Sequence, residues 1–257
     1  MAKQVVALLQ ARTDSTRLPA KVLKKLLGIP MIVQELERIA RSKYIDKLIL
    51  TTSDEHSDDL LSEIIIKNGF NLYRGNKNNV LERFIKSVEI FDLKDDDVIV
   101  RLTGDCPLHD PNIIDETISA FLNCNCDYLT NSVEPIYPDG LDVEVFTYLS
   151  LKTTYKLAKK PSQLEHVTPF IRDSGLFNTL NLNKQPIYPN WRLTVDEVDD
   201  FTVIEKIYNY FNNNSFTFKE IISYLEKNPN VIKINSHINR NEGYLKSLQE
   251  DLLQKDK

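Results

Sequence analysis

Short runs of apolar residues alternate with stretches of helical periodicity through the first half of the chain. Gln4 to Leu9 is a valine-rich run of strand length that stops where a basic, aperiodic loop begins. Behind the punctuation of Gly28-Ile29-Pro30, residues Met31, Ile32, Val33, Leu36 and Ile39 share one helical face. Asp46 to Thr52 predicts a second strand. Ser53-Asp54 is a candidate N-cap pair for a helix reaching about Asn68, with Leu60, Leu61, Ile64 and Ile65 inward and Gly69 ending it. Phe70 to Tyr73 predicts a third strand, and Val80 to Phe91 a helix with Leu81, Phe84, Ile85 and Val88 inward. Asp97 to Leu102 predicts a central strand by its unbroken apolar core, and Pro111 to Leu122 a helix with proline in its first turn. Such alternation argues for βαβ units in an α/β fold with a mostly parallel sheet, where sites lie beyond the carboxyl ends of the strands. Gln10 to Lys21, Thr52 to Asp54 and Thr103 to Pro107 then fall along one edge.

The second half is less regular. Asp127 to Thr130 and Leu141 to Phe146 predict strands, Leu149 to Lys159 a helix, and Pro161 to Arg172 a helical or turn-rich piece. Leu176 to Leu182 alternates and predicts an extended strand in an arm outside the main sheet, while Trp191 to Val195 returns to strand character. Asp199 to Phe211 and Phe218 to Lys227 read as closing helices, and the tail from about Glu242 as a polar helix or frayed end. The division that follows is one domain over residues 1–230, with an insertion over about 131–190, and a polar extension over 231–257.

Composition narrows this picture. At 257 residues the chain is long enough to bury a full core. Its formal net charge of −5 gives no general reason to expect a nucleic-acid or membrane-surface partner, so a polyanion has to be held by a local patch. Cys124-Asn125-Cys126 is too tight for a zinc knuckle, and three cysteines without a signal sequence suggest reduced thiols in a cytoplasmic protein. The apolar run Val5 to Leu9 is too short for a secretory signal, and no run reaches membrane-spanning length.

The local patch is the loop Leu8-Leu9-Gln10-Ala11-Arg12-Thr13-Asp14-Ser15-Thr16-Arg17-Leu18-Pro19-Ala20-Lys21. Guanidinium groups of Arg12 and Arg17 offer paired donors and Lys21 a point charge, which together suit a polyphosphate. Taken alone, such a loop reads more readily as a solvated basic surface. Asp105, in the turn Thr103-Gly104-Asp105-Cys106-Pro107, and Asp196, in Val195-Asp196-Glu197, each follow a predicted strand and aim a carboxylate at the same edge. Two carboxylates beside a phosphate loop suit Mg²⁺, although each aspartate by itself is an ordinary turn or capping residue. Asp95-Asp96-Asp97 precedes its strand and so reads as a solvated turn at the opposite end. Neither G-x-x-x-x-G-K-[ST] nor G-x-G-x-x-G nor a G-x-S-x-G elbow occurs.

The loop L-Q-A-R-T-D-S-T-R-L-P-A-K, followed by G-I-P-M-I, G-D-C-P and L-T-V-D-E in fixed order, resembles the cytidylyltransferase family that makes CMP-activated acidic sugars, including CMP-Kdo and acylneuraminate synthetases. Y-P-D-G-L-D-V-E-V-F at Tyr137 to Phe146 and E-H-V-T-P at Glu165 to Pro169 resemble one branch of it, and the resemblance covers roughly residues 3–212. It implies a three-layer α/β/α fold of the nucleotide-diphospho-sugar transferase type, dimeric through the middle insertion. It also implies that Arg12, Arg17 and Lys21 bind and neutralise the triphosphate of CTP, and that Asp105 and Asp196 hold Mg²⁺, with Lys21, Arg12, Arg17 and Asp105 counted as the catalytic groups. Leu9, Ala11, Ser15 and Ser53 complete the expected nucleotide contacts, with Arg74 and Arg83 from the segment around Tyr73 to Arg83. Asn79 departs from the acidic residue common at its position.

The implied reaction is attack of a sugar oxygen on the α-phosphorus of CTP, giving a CMP-sugar and pyrophosphate for surface polysaccharide or glycan synthesis. Candidate acceptor contacts are Asp139, Asp142, Glu144, Glu165, His166 and Arg192, with Arg172 nearby; as turn and capping residues they have an equally good structural reading. Three rivals remain at this point: a glycosyltransferase, a nucleotidyltransferase for another base or a sugar phosphate, and a non-catalytic binding subunit.

Overall fold

The computed structural model describes residues 3–240, 242, 244, 247, 248, 251 and 252. In chain order the strands are β1 (Val5–Gln10), β2 (Lys25–Leu26), β3 (Ile29–Pro30), β4 (Lys47–Ser53), β5 (Asn71–Gly75), β6 (Val98–Thr103), β7 (Tyr128–Thr130), β8 (Glu144–Thr147) and β9 (Thr179–Asn181). The helices are α1 (Met31–Ile39), α2 (Asp59–Lys67), α3 (Val80–Val88), α4 (Pro111–Leu122), α5 (Tyr148–Leu157), α6 (Pro161–His166), α7 (Pro169–Asp173), α8 (Val198–Phe211), α9 (Phe218–Lys227) and α10 (Pro229–Ile232).

Seven strands form one sheet in the order β5-β4-β1-β6-β8-β7-β9. The first four run parallel, with β1 at the centre pairing Leu8 with Ile49 on one side and with Arg101 on the other. That centre is buried on both faces, which is why its sequence is continuously apolar instead of alternating. Val6, Leu8, Ile49 and Ile99 point to one face, under α3, α5 and α7. Val5, Ala7, Leu9, Leu50 and Val100 point to the other, under α1, α2, α4, α8 and α9. The three-layer α/β/α arrangement expected from the sequence is therefore the observed one.

Local chemistry fixes the helix ends. Asn79 accepts a hydrogen bond from the Glu82 amide at 2.9 Å and so caps α3, which gives this departure from the acidic residue a structural role. Asp110 caps α4, with Pro111 in the first turn as expected. Gly69 takes φ +78° just beyond α2, the left-handed conformation that ends a helix.

Several expectations need correction. Ser53 belongs to β4, and α2 starts only at Asp59; the face actually buried carries Leu61 and Ile65, while Leu60 is 56 % exposed. Leu176 to Leu182 is no separate arm, because its β9 joins the main sheet parallel to β7. β8 begins at Glu144 and runs antiparallel to both β6 and β7. Trp191 to Val195 is not a strand: it makes a single bridge, between Arg192 and Asp139. Asp97 is buried and not solvated, since its carboxylate accepts the Gln4 and Lys94 amides at 2.8 and 2.7 Å. Cys124 and Cys126 are joined in a disulfide, leaving Cys106 as the reduced thiol. Of the expected polar tail from Glu242, residues 243, 245, 246, 249, 250 and 253–257 lie outside those described.

Candidate active site

The basic loop leaves β1 and is tied down by one buried carboxylate. Asp58 Oδ1 accepts from the Thr13 amide and hydroxyl at 2.8 and 2.7 Å, and Asp58 Oδ2 accepts from the Thr52 and Ser53 hydroxyls. Burial works against the charge on Asp58, but the donors from Ser53 and Thr13 outweigh it and hold its pKa below the ordinary value. The Ala20 amide closes the loop onto the Thr13 carbonyl at 3.0 Å, which delivers Lys21 to the carboxyl edge of the sheet.

Lys21 is buried there, and its ammonium donates to Val195 O at 2.7 Å, Asp196 Oδ1 at 2.9 Å and Asp105 Oδ2 at 3.1 Å. Burial alone would favour the neutral amine; the two carboxylates outweigh it and raise the pKa, so Lys21 is a fixed cation. Asp105 is half-buried at a cost to its charge, and Lys21 pulls its pKa down instead. The turn carrying Asp105 fits because residue 104 is glycine: a Cβ there would come within 2.7 Å of Ala11 Cβ and 2.8 Å of Ile32 Cδ1. Asp196 arrives from the other direction, with the Val195 amide bonded to the Asp105 carbonyl at 2.8 Å. Gly140 permits that approach, since a Cβ on it would meet the Leu193 carbonyl carbon at 2.5 Å.

A cleft of about 570 Å³ opens over this cluster, lined by Ala11, Arg12, Ser15, Arg17, Lys21, Arg83, Asp105, Glu165 and Asp196 among others. Arg12 pairs with Asp14 at 3.0 Å, and Arg17 with Asp196 at 3.0 Å. Arg83 lies on the cleft wall with its pKa lowered to about 10, first by burial and then by the charge of Arg12. Three residues expected at the nucleotide do not reach the cleft with their side chains. Leu9 points into the core, the Ser53 hydroxyl is spent on Asp58, and Arg74 turns back to the Ser53 and Glu55 carbonyls and to Asp59. All three sit on strands whose side chains alternate, so nearness in sequence does not set direction.

A second cavity of about 720 Å³ adjoins the first, and Arg17, Asp105, His166 and Asp196 line both. Asp139, Asp142, Glu144 and Arg192 line this cavity, as do Arg101, Tyr128, Thr168 and Arg172. Glu144 is buried against Arg101 in an ion pair and accepts the Tyr128 and Thr168 hydroxyls at 2.6 Å each. Burial opposes its charge, and Arg101 then holds its pKa down. Arg192 is committed to Asp139 at 2.8 Å, Asp196 at 2.8 Å and Asp200 at 2.9 Å, which makes it a framework cation. The carboxyl of Asp139 is pushed up to about 7 by burial and by neighbouring Asp142. His166 is pushed down to about 4 by burial and by Arg101, so its imidazole is neutral at neutral pH. It follows that His166 holds no charge with which to attract an anion. Next to it, Val167 takes φ +67°, a strained backbone for a β-branched residue.

Sequence reasoning passed over Arg101, although a charged residue inside the apolar run of β6 is a visible signal. It also passed over Arg240, Glu242 and Tyr244, for which no local signal exists. Arg240 pairs with Asp142 at 2.5 Å, Glu242 reaches Arg17, and the Tyr244 ring stands edge-on to His166 and beside the Arg172 guanidinium.

A divalent ion held by Asp105 and Asp196 would share their carboxylates with the Lys21 ammonium, which already bridges them. Among the described residues no group of three or more histidine, cysteine, aspartate or glutamate side chains is arranged around a metal position. Two carboxylates without a full protein cage match an ion that completes its shell with water and substrate phosphates, as Mg²⁺ does.

Comparison with known proteins agrees with this geometry. The chain is 35 % identical over 239 residues to the uncharacterized protein MJ1063 of Methanocaldococcus jannaschii, covering 91 % of this chain and 96 % of that one. It is 31 % identical over 235 residues to the spore coat polysaccharide biosynthesis protein SpsF of Bacillus subtilis, covering 88 % and 96 %. Among solved structures, a cytidylyltransferase from Leptospira borgpetersenii superposes with a TM-score of 0.84 at 31 % identity over 90 % of this chain and 97 % of that one. The family profile described as cytidylyltransferase matches residues 6–221, which spans the basic loop, both aspartates and all seven strands of the sheet. With a matched span that holds both walls of the cleft, the chain belongs to the cytidylyltransferase family.

Proposed function

We propose that this protein transfers CMP from CTP to a hydroxyl of an acidic sugar, releasing pyrophosphate and supplying a CMP-sugar for a surface polysaccharide. The observation that carries the reading is the convergence of Arg12, Arg17 and Lys21 with Asp105 and Asp196 on the smaller cleft, where Arg17 and both aspartates also face the larger cavity. In this reading the smaller cleft takes the nucleotide and the larger cavity the sugar. The names of SpsF and of the cytidylyltransferase relatives support it.

Asp105 and Asp196 would hold Mg²⁺ in the bound state. The ion would supply charge neutralisation at the α-phosphate and lower the pKa of the attacking hydroxyl. The chain's own residues position and stabilise. Arg12 and Arg17 clamp phosphate oxygens, and Lys21 stays protonated to neutralise the departing pyrophosphate. On the sugar side, carboxylates of Asp139, Asp142 and Glu144 accept hydroxyl donors. Arg172 makes no side-chain hydrogen bond or ion pair within 4 Å to a described residue and rests against the Tyr244 ring, which suits it to an acceptor carboxylate.

The test is pyrophosphate release with Mg²⁺ from CTP, UTP, GTP and ATP, each offered with a panel of acidic sugars, neutral sugars and sugar phosphates. Release with CTP and acidic sugars is the expected result. Turnover only with a sugar phosphate or another base would replace this substrate assignment, and release of a nucleoside diphosphate would point to glycosyl transfer.

A further inference from the structure

The segment from Asn235 to Asp251 lies beyond the span matched by the family profile, which stops at residue 221. Its described residues nevertheless return to the cleft and are fastened on both sides of it. Asn235 donates to Arg192 O and Asp200 Oδ1 at 3.0 and 2.9 Å. Ser247 meets His166 Nε2 at 2.9 Å and Glu165 Oε2 at 3.0 Å, and the buried Asp251 carboxylate accepts the Ser162 amide at 3.0 Å. Between these anchors, Glu242 Oε2 lies 3.4 Å from Arg17 Nη1 and lines both cavities.

Arg17 is thereby ringed by three carboxylates: Asp196 at 3.0 Å, Glu242 at 3.4 Å and Glu197 at 3.7 Å. A triphosphate could not share one guanidinium with all three, because like charges a few ångströms apart in a cleft repel strongly. Asp196 is held by Arg192 and Lys21 and is not free to leave, and Glu197, at 3.7 Å, makes the longest of the three contacts with Arg17. Glu242 has a half-exposed side chain, and its other tie among the described residues is a 3.4 Å contact from the Asn239 amide to Oε1.

We propose that Glu242 belongs to the nucleotide site as an internal competitor: its carboxylate holds Arg17 in the free enzyme and yields that guanidinium to the triphosphate. Glu242 sets nucleotide affinity from outside the family domain, and its anchors keep it within reach of Arg17 through each cycle. The proposal rests on the reading that Arg17 binds phosphate.

The probe is tripolyphosphate, which carries the charge of the triphosphate without base or sugar, titrated calorimetrically into the full-length protein at low salt. Glu242→Gln is expected to bind it about three- to tenfold more tightly than the wild type, with the gap closing as salt rises. Glu89→Gln removes an equally exposed carboxylate paired to Lys86, and is expected to leave affinity unchanged. Equal affinity of Glu242→Gln and wild type would overturn the proposal while leaving the phosphate site intact, as would the same tightening in Glu89→Gln. Absence of tripolyphosphate binding to the wild type together with failure of CTP to bind would overturn the phosphate-site reading itself, and the competitor role with it.

Discussion

The two cavities share a junction but are built in different ways. The smaller cleft rests on the loop after β1 and the turn after β6, both carried by the buried parallel core, with Asp196 brought in by an irregular segment, and its three cations stand within ten positions of one another in sequence. The larger cavity is held together by charge pairs that cross the chain: Arg101 with Glu144, Arg192 with Asp139 and Arg240 with Asp142. In the first the sheet sets the positions, Lys21 is buried between its two aspartates, and the partly exposed Arg12 and Arg17 are the charges left open to a ligand. In the second the charges are themselves the structure, satisfied internally by partners 43, 53 and 98 residues away. Substitutions in the cleft should therefore cost function at little cost in stability, and those in the cavity should cost both.

The largest effect should come at the junction. Asp105→Asn keeps the shape of the turn and leaves Lys21 its bond to Asp196, yet removes a charge from the reacting centre. Pyrophosphate release should fall by ~10³-fold with unchanged circular dichroism. Near-normal release would remove Asp105 from the chemistry and erase the distinction just drawn.

A direct comparison of the two walls is the next sharpest. Glu144→Gln leaves Arg101 buried without its counter-ion, and should lower unfolding free energy by about 3 kcal/mol in urea titrations. Arg12→Ala removes a half-exposed cation, and should cost no more than about 1 kcal/mol while raising the KM for CTP roughly tenfold. Equal stability losses in the two variants would show that the cleft is also held by its charges.

A smaller effect concerns the support beneath the turn of Asp105. Glu35 on α1 is buried against His109 at 3.1 Å, and burial pushes its carboxyl up to about 7 from 4.5. A carboxyl raised on folding favours the folded state below its unfolded pKa and loses that contribution as pH climbs through the folded value. Wild-type stability should decline between about pH 4.5 and pH 7 through this group by on the order of 1 to 3 kcal/mol, and Glu35→Gln should flatten that part of the curve. Parallel pH curves for the two proteins would exclude Glu35 as the source.

The same contrast explains what could be read in advance. A parallel strand buried on both faces announces itself as an apolar run, and β1, β4 and β6 were legible for that reason. Strands of three or four residues such as β7, β8 and β9 carry too little pattern to fix direction or neighbour, so β9 looked like an outlying arm. Trp191 to Val195 looked like a strand because Leu193 and Val195 are buried, yet its backbone spends its bonds on Asp139 and Asp105. Arg74 and Ser53 were close in sequence to useful positions, but side-chain direction on a strand depends on register.

By itself the sequence determined the alternation of strands and helices, the basic loop and Asp105 at the end of β6, because each depends on residues within one turn or one run; Asp196 it placed after a strand that the fold does not form. Tertiary structure alone decided that Lys21 bridges Asp105 to Asp196, that Arg240 answers Asp142, and that Glu242 comes back to Arg17 across 225 positions. Charge pairing carries no sequence period, and its partners are chosen only when the chain has already folded around them.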